Sequence, residues 1–117
     1  ILNRFDFKIL LVGTVHDFKK ANILSKISRK KIINLCQETN IDDLLNIIKF
    51  SKYHITNDNG SMHVSTLFKK KTLCLFNNHD PLGKWYPTNN NAIILRSNES
   101  VNSINSYKVF IKLIQSI

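Results

Sequence analysis

Five short apolar runs punctuate the 117 residues and set narrow limits on the fold: residues 7–12, 32–35, 53–56, 72–76 and 92–95. The first is almost unbroken and ends at Gly13. Strands that lose the polar alternation are those covered on both faces, as in parallel sheets. Between the runs lie segments with helical spacing. Asp17 precedes one around residues 19–26, with Ala21, Ile23, Leu24 and Ile27 as its apolar positions. Asn40 can cap the next, with Asp43 three residues on, and Ile41, Leu44, Leu45 and Ile48 recur on one face. Another opens near Ser61. A final helix carries Val101, Ile104, Tyr107, Ile111 and Ile114 on one face. Strand and helix therefore alternate, which predicts an α/β fold: a Rossmann-like parallel sheet with helices on both faces. No repeat, linker or low-complexity stretch divides it, so residues 1–117 read as a single domain.

Hydrophobic residues make up 43% and charged residues 21%, enough core to exclude a disordered chain. The net charge of +9 points to an anionic partner: nucleic acid, a phosphorylated ligand or an anionic membrane surface. The charge is spread in short clusters at Lys19-Lys20, Arg29-Lys30-Lys31 and Lys69-Lys70-Lys71, and solvated surface accounts for it equally well. Cys36 and Cys74 sit in or beside apolar runs, without CxxC or Cys/His spacing. They read as buried free thiols in a reducing cytoplasm, and no metal site is expected. No run approaches the ~20 apolar residues that span a bilayer, so the chain is expected to be soluble or attached only at a membrane surface. It begins at Ile1 rather than Met, as a fragment or a processed chain would.

Three loops follow strand ends and could carry chemistry. The sharpest is Asn57-Asp58-Asn59-Gly60-Ser61-Met62-His63, between a strand and a helix. Ligands of open α/β sheets bind outside the carboxyl ends of strands. A helix start there offers unpaired N–H groups and the positive end of the dipole. Gly60 permits close approach, Ser61 adds a hydroxyl and His63 a ring donor, a set suited to a phosphate or diphosphate. Asp58 would repel a bare anion and fits sugar hydroxyls. The plainer reading is that Asp58 or Asn59 only caps the helix and His63 packs at its start.

The second loop is Gly13-Thr14-Val15-His16-Asp17, where Asp17 could accept from ribose hydroxyls or simply cap the following helix. The third, Asn77 to Pro87, holds His79, Asp80, Pro81, Gly83, Lys84, Trp85 and Tyr86. It reads as a loop anchored by its aromatics, or more weakly as a single-strand nucleic-acid contact.

Residues 44–87 resemble the C-terminal domain of glycosyltransferase family 9, the ADP-heptose:lipopolysaccharide heptosyltransferases. The hallmark is Asp, then Ser or Thr, then Gly, with His three residues after the Gly, here Asp58-Asn59-Gly60-Ser61-Met62-His63. The strand at 72–76, then Asp80-Pro81 and Trp85-Tyr86-Pro87, are similar to the family's next strand and its Pro-containing polar loop. Gly13 and Asp17 match its upstream spacing, so the likeness extends over residues 7–95. Two places depart: Asn59 stands where the family has Ser or Thr, which keeps a donor but moves it, and Lys70-Lys71 replaces a small residue and Pro.

The resemblance implies the donor-binding C-terminal half of a GT-B enzyme that transfers a sugar with inversion and without a metal, in lipopolysaccharide or related surface glycan synthesis. It implies no cofactor, only an ADP-heptose-like donor as substrate. Asn59, Gly60, Ser61 and His63 would meet the donor diphosphate, Asp58 its sugar, and Gly13, Asp17 and Leu35 the nucleoside. The lipid-linked oligosaccharide acceptor and the general base would belong to an N-terminal domain that these residues do not supply, so no catalytic residue is assigned and the chain alone is expected to be inactive. The implied location is the cytoplasm, with peripheral contact at the inner face of a bacterial inner membrane. Nucleic acid is not the expected partner. The alternative is a non-catalytic basic Rossmann-like module that binds a nucleotide or RNA.

Overall fold

The computed structural model describes residues 5–77, 90–97 and 99–117. The element order is β1 (Ile9–Leu11), α1 (Phe18–Ser25), β2 (Ile32–Asn34), α2 (Ile41–Phe50), β3 (Tyr53–Asn57), α3 (Gly60–Leu67), β4 (Lys71–Phe76), β5 (Ala92–Arg96), a 3-10 turn (Val101–Ser103) and α4 (Ser106–Ser116). This is the α/β alternation read from the sequence, and every strand pair among the described residues is parallel. The chain forms two compact units, residues 1–44 and 45–117.

In the first unit β1 pairs with β2, Ile9 opposite Ile32 and Leu11 opposite Asn34. Ala21 of α1 and Ile32 are buried. The expected apolar face of α1 is not: Ile23 is 66% exposed and Ile27 70%, with Leu24 also exposed. A helix on a two-strand sheet has a narrow surface to cover, and small Ala21 is the residue that reaches it. The Asn40 and Asp43 pair forms the expected reciprocal cap on α2. Asp43 N–H donates to Asn40 Oδ1 at 2.8 Å, and Asn40 N–H donates to Asp43 Oδ2 at 3.1 Å.

In the second unit the strand order is β3-β4-β5. The central position explains the unbroken apolar character of β4, whose Thr72, Leu73 and Cys74 have no accessible surface. Met62 of α3 packs with Cys74 and Phe76, and Ile94 of β5 joins them. A chain of hydroxyls also ties α3 to β4. Thr72 Oγ1 donates to Ser65 Oγ at 3.0 Å, and Ser65 Oγ donates to the Met62 carbonyl at 2.8 Å, with both residues fully buried. α3 ends at Phe68, after which Lys69 turns left-handed (φ 53°).

The last helix starts later than its periodicity predicts. Asn105 is its N-cap, accepting from Tyr107 N–H at 2.8 Å with an extended backbone. Val101 therefore falls in the 3-10 turn and Ile104 in the break before α4. Tyr107 is 68% exposed, and Leu113 is the buried residue of the helix. A local Asn cap outranks a weak apolar period here.

Candidate functional site

Tyr53 to Asn57 forms β3, and the chain turns at once into α3. The cap of α3 is Asn59, not Asp58. Its extended backbone (φ −156°) lets its Oδ1 accept from Ser61 N–H at 3.0 Å and from Ser61 Oγ–H at 2.7 Å. Gly60 is the first helical residue and is exposed. A Cβ built on it would meet nothing within 4 Å. Neither the backbone conformation nor the packing of this chain therefore requires glycine at that point. His63 lies in the first turn with its residue exposed, so it does not pack down at the helix start. No acidic residue lies in that turn, which leaves the positive end of the helix dipole uncompensated within it. Asp58 is half-buried just before the cap, and its charge helps burial push the Cys74 thiol up to about 11.

Two residues not singled out in the sequence complete this turn. His54 and Thr56 alternate along β3 and so share a face. His54 Nε2 lies 3.0 Å from Ser61 Oγ. Thr56 Oγ1 lies 2.9 Å from the same hydroxyl and 3.1 Å from Asn59 Oδ1. Burial holds the His54 pKa below its ordinary value, so the ring is neutral at pH 7. The available signal was two polar residues at every second position of an otherwise apolar run, which marks a face turned toward something polar.

The second predicted set gathers at the ends of β1 and β2. Leu35 N–H donates to the Leu11 carbonyl at 2.8 Å, and Gln37 N–H to the Gly13 carbonyl at 3.1 Å. Asp17 occupies the N-cap position of α1 without capping it. Its Oδ2 instead accepts from Thr14 N–H at 2.9 Å and Thr14 Oγ1–H at 3.1 Å. Those bonds hold its carboxyl below the usual aspartate range. Gly13 is needed for this fold-back, since a Cβ there would stand 2.7 Å from Asp17 Oδ2. Leu35 is half-buried and His16 exposed. Within each unit the structure thus brings the predicted residues together: Gly13, Asp17 and Leu35 in one, Asp58 to His63 in the other.

The third loop, from His79 through Asp80, Pro81, Gly83, Lys84, Trp85 and Tyr86 to Pro87, lies outside the described residues. Cys36 and Cys74 are free and buried. Among the described residues no group of three His, Cys, Asp or Glu side chains gathers as a metal site would need, and no helix is long and apolar enough to cross a membrane.

Over 46 residues the chain is 48% identical to lipooligosaccharide heptosyltransferase 2 of Campylobacter jejuni serotype O:6, and 46% identical to that of serotype O:2. The aligned part is 39% of this chain but only 15% and 14% of those proteins. Among solved structures, E. coli ADP-heptose lps heptosyltransferase II superposes with a TM-score of 0.76 over 93% of this chain and 36% of its own, at 22% identity. A family 9 glycosyl transferase from Veillonella parvula gives 0.67 over 96% of this chain and 31% of its own, at 23% identity. The chain thus spans about a third of the solved proteins whose fold it shares. A profile of glycosyltransferase family 9 (heptosyltransferase) matches residues 1–110. On the match across nearly its whole length, this chain belongs to glycosyltransferase family 9.

Proposed function

We propose that this chain is the donor-binding part of an inverting, metal-independent heptosyltransferase-like enzyme of lipopolysaccharide or related glycan synthesis, and that it holds an ADP-heptose-like nucleotide sugar. The observation that carries the reading is the opening of α3. An exposed glycine that the fold does not need stands at a helix N-terminus, beside an exposed histidine. Such a surface accepts a diphosphate closely, through the helix dipole and the side-chain donors beside it. In glycosyl transfer negative charge grows on the departing nucleoside diphosphate, and donors fixed in advance at that point lower the barrier. His63 supplies a donor from its ring there, and Asp58 takes the donor sugar's hydroxyls.

For the nucleoside, Asp17 spends Oδ2 on Thr14, and Oδ1 is the oxygen offered to a ribose hydroxyl. Leu35, beside the Gly13 loop, packs on the base. The lipid-linked oligosaccharide acceptor and the general base are assigned to the other half of the two-domain enzyme, which works at the cytoplasmic face of the membrane. The relatives' names, lipooligosaccharide heptosyltransferase 2 and ADP-heptose lps heptosyltransferase II, support the choice of sugar and acceptor class.

Calorimetric titration of the chain with ADP and ADP-heptose tests the reading. Both bind, and Asp58→Ala and His63→Ala weaken binding, Asp58→Ala more for the nucleotide sugar than for ADP. In the complete enzyme, loss of the His63 donor lowers turnover by roughly 10²–10³ if it faces the developing charge. Unchanged nucleotide affinity in both variants refutes the site. Steeply salt-dependent binding of oligonucleotides with no response to ADP would instead establish a basic nucleic-acid module.

A further inference from the structure

The proton pattern around Ser61 gives the turn a second layer. Ser61 Oγ has one proton and three polar neighbours: Asn59 Oδ1 at 2.7 Å, Thr56 Oγ1 at 2.9 Å and His54 Nε2 at 3.0 Å. A carboxamide oxygen only accepts, so Ser61 gives its proton to Asn59. Ser61 Oγ can then accept from His54 Nε2–H, and Thr56, 3.0 Å from the Asn57 carbonyl, is satisfied there. Ser61 N–H also donates to Asn59 Oδ1. Every proton finds a partner in this arrangement, and it leaves neither the amide nor the hydroxyl of Ser61 for a ligand. It also fixes which way the Asn59 side chain is turned. The Ser61 amide and hydroxyl both donate to Oδ1, so the NH2 on the other arm of the carboxamide points away from them, on an exposed residue.

We infer that His54 and Ser61 are positioning residues for the donor turn. The His54 ring, acting through the Ser61 hydroxyl, holds the Asn59 carboxamide oxygen-inward so that its NH2 becomes a fixed, ligand-facing donor beside Gly60. His54 does not touch the ligand. Its neutral Nε2–H tautomer is the one that leaves the Ser61 proton on Asn59. The opposite tautomer would draw that proton to the ring and loosen the amide. The affinity consequences rest on the donor-binding reading above, whereas the tie itself does not.

Two measurements on the full chain decide the matter. In a ¹H–¹⁵N correlation of the histidine rings, His54 shows a protonated Nε2 and a bare Nδ1, and Ser61→Ala moves it toward the mixture of a free imidazole. In ADP titrations, His54→Leu and Ser61→Ala each weaken binding roughly three- to tenfold, the net worth of one hydrogen bond. His54→Gln, which keeps a donor at the Nε2 position, restores most of the affinity. The double variant His54→Leu/Ser61→Ala is no weaker than Ser61→Ala alone, because both act through one contact. Additive losses, or a Gln variant as weak as the Leu variant, overturn the proposal. So does a wild-type ring with its proton on Nδ1. Should His54→Leu fail to fold, Ser61→Ala and His54→Gln still supply both measurements. Should wild type ignore ADP, the donor reading falls, and the ring spectrum alone decides whether the tie exists.

Discussion

Gly60→Ala separates what the fold needs from what a ligand needs. At the first position of α3 the added methyl meets nothing within 4 Å. Alanine restricts the unfolded chain and favours the helix, which is worth about 0.4–1 kcal/mol where the native backbone accepts it. For a chain of this size that raises the melting temperature by roughly 1–6 °C. A diphosphate resting on the glycine Cα, in contrast, loses the space the methyl takes. Overpacking of that kind costs roughly 1–3 kcal/mol, which at about 1.4 kcal/mol per tenfold weakens the nucleotide roughly 5- to 150-fold. Thermal unfolding and calorimetry with ADP on the same preparation read both quantities. A variant that is more stable and binds poorly is the expected result. One that binds ADP like wild type refutes the close approach. One that is destabilised shows that the chain itself needs glycine there, and the reasoning from empty space fails.

Three further outcomes turn on single residues. Burial depresses the His54 pKa, so below its unfolded value near 6.5 the unfolded chain takes up a proton that the folded chain refuses. Its contribution is therefore complete above that pH and falls as the solution is acidified toward the folded pKa. Urea unfolding of wild type and His54→Gln from about pH 7.5 to 5.5 should show the slope reduced in the variant. Cys74, raised to about 11 by burial with help from Asp58, should react with a disulfide reagent near pH 8 only as the chain opens. Thiol release timed against unfolding checks this. Lys69 holds a left-handed backbone after α3, so Lys69→Gly should stabilise the chain by about 1 kcal/mol in chemical denaturation.

The elements were legible where one physical signal acted alone. Residues 72–76 read as a buried strand because β4 is covered on both faces, and Asn40 with Asp43 marked a helix start that the reciprocal bonds display. The reading failed where signals competed. The period through Val101 and Ile104 pointed to a longer helix, but the Asn105 side chain captures the Tyr107 amide and starts α4 there. Asp17 looked like a cap because it precedes a helix, whereas the neighbouring Thr14 offers it two donors at once. The strand-to-helix turn at Asp58 to His63, where the candidate site lies, was readable from its residue types. Its supports were only half legible: the alternation of His54 and Thr56 marks a polar face, but their bonds to Ser61 and Asn59 cross a strand-to-helix corner that linear spacing does not encode.

The hydroxyl chain from Thr72 through Ser65 bears on how the turn can recognise anything. Greasy contacts let a helix creep along a sheet with little change in energy, but this one is keyed. A shift of α3 by a single residue would carry Ser65 away from Thr72 and leave the Thr72 hydroxyl to the Lys70 carbonyl 3.0 Å away, forfeiting one buried hydrogen bond worth about 0.5–1.5 kcal/mol. The register of the helix is therefore biased by one buried bond before any guest arrives. For a nucleotide sugar bound as proposed above, that register favours guests that fit the turn as it stands over guests that would need the helix to slide.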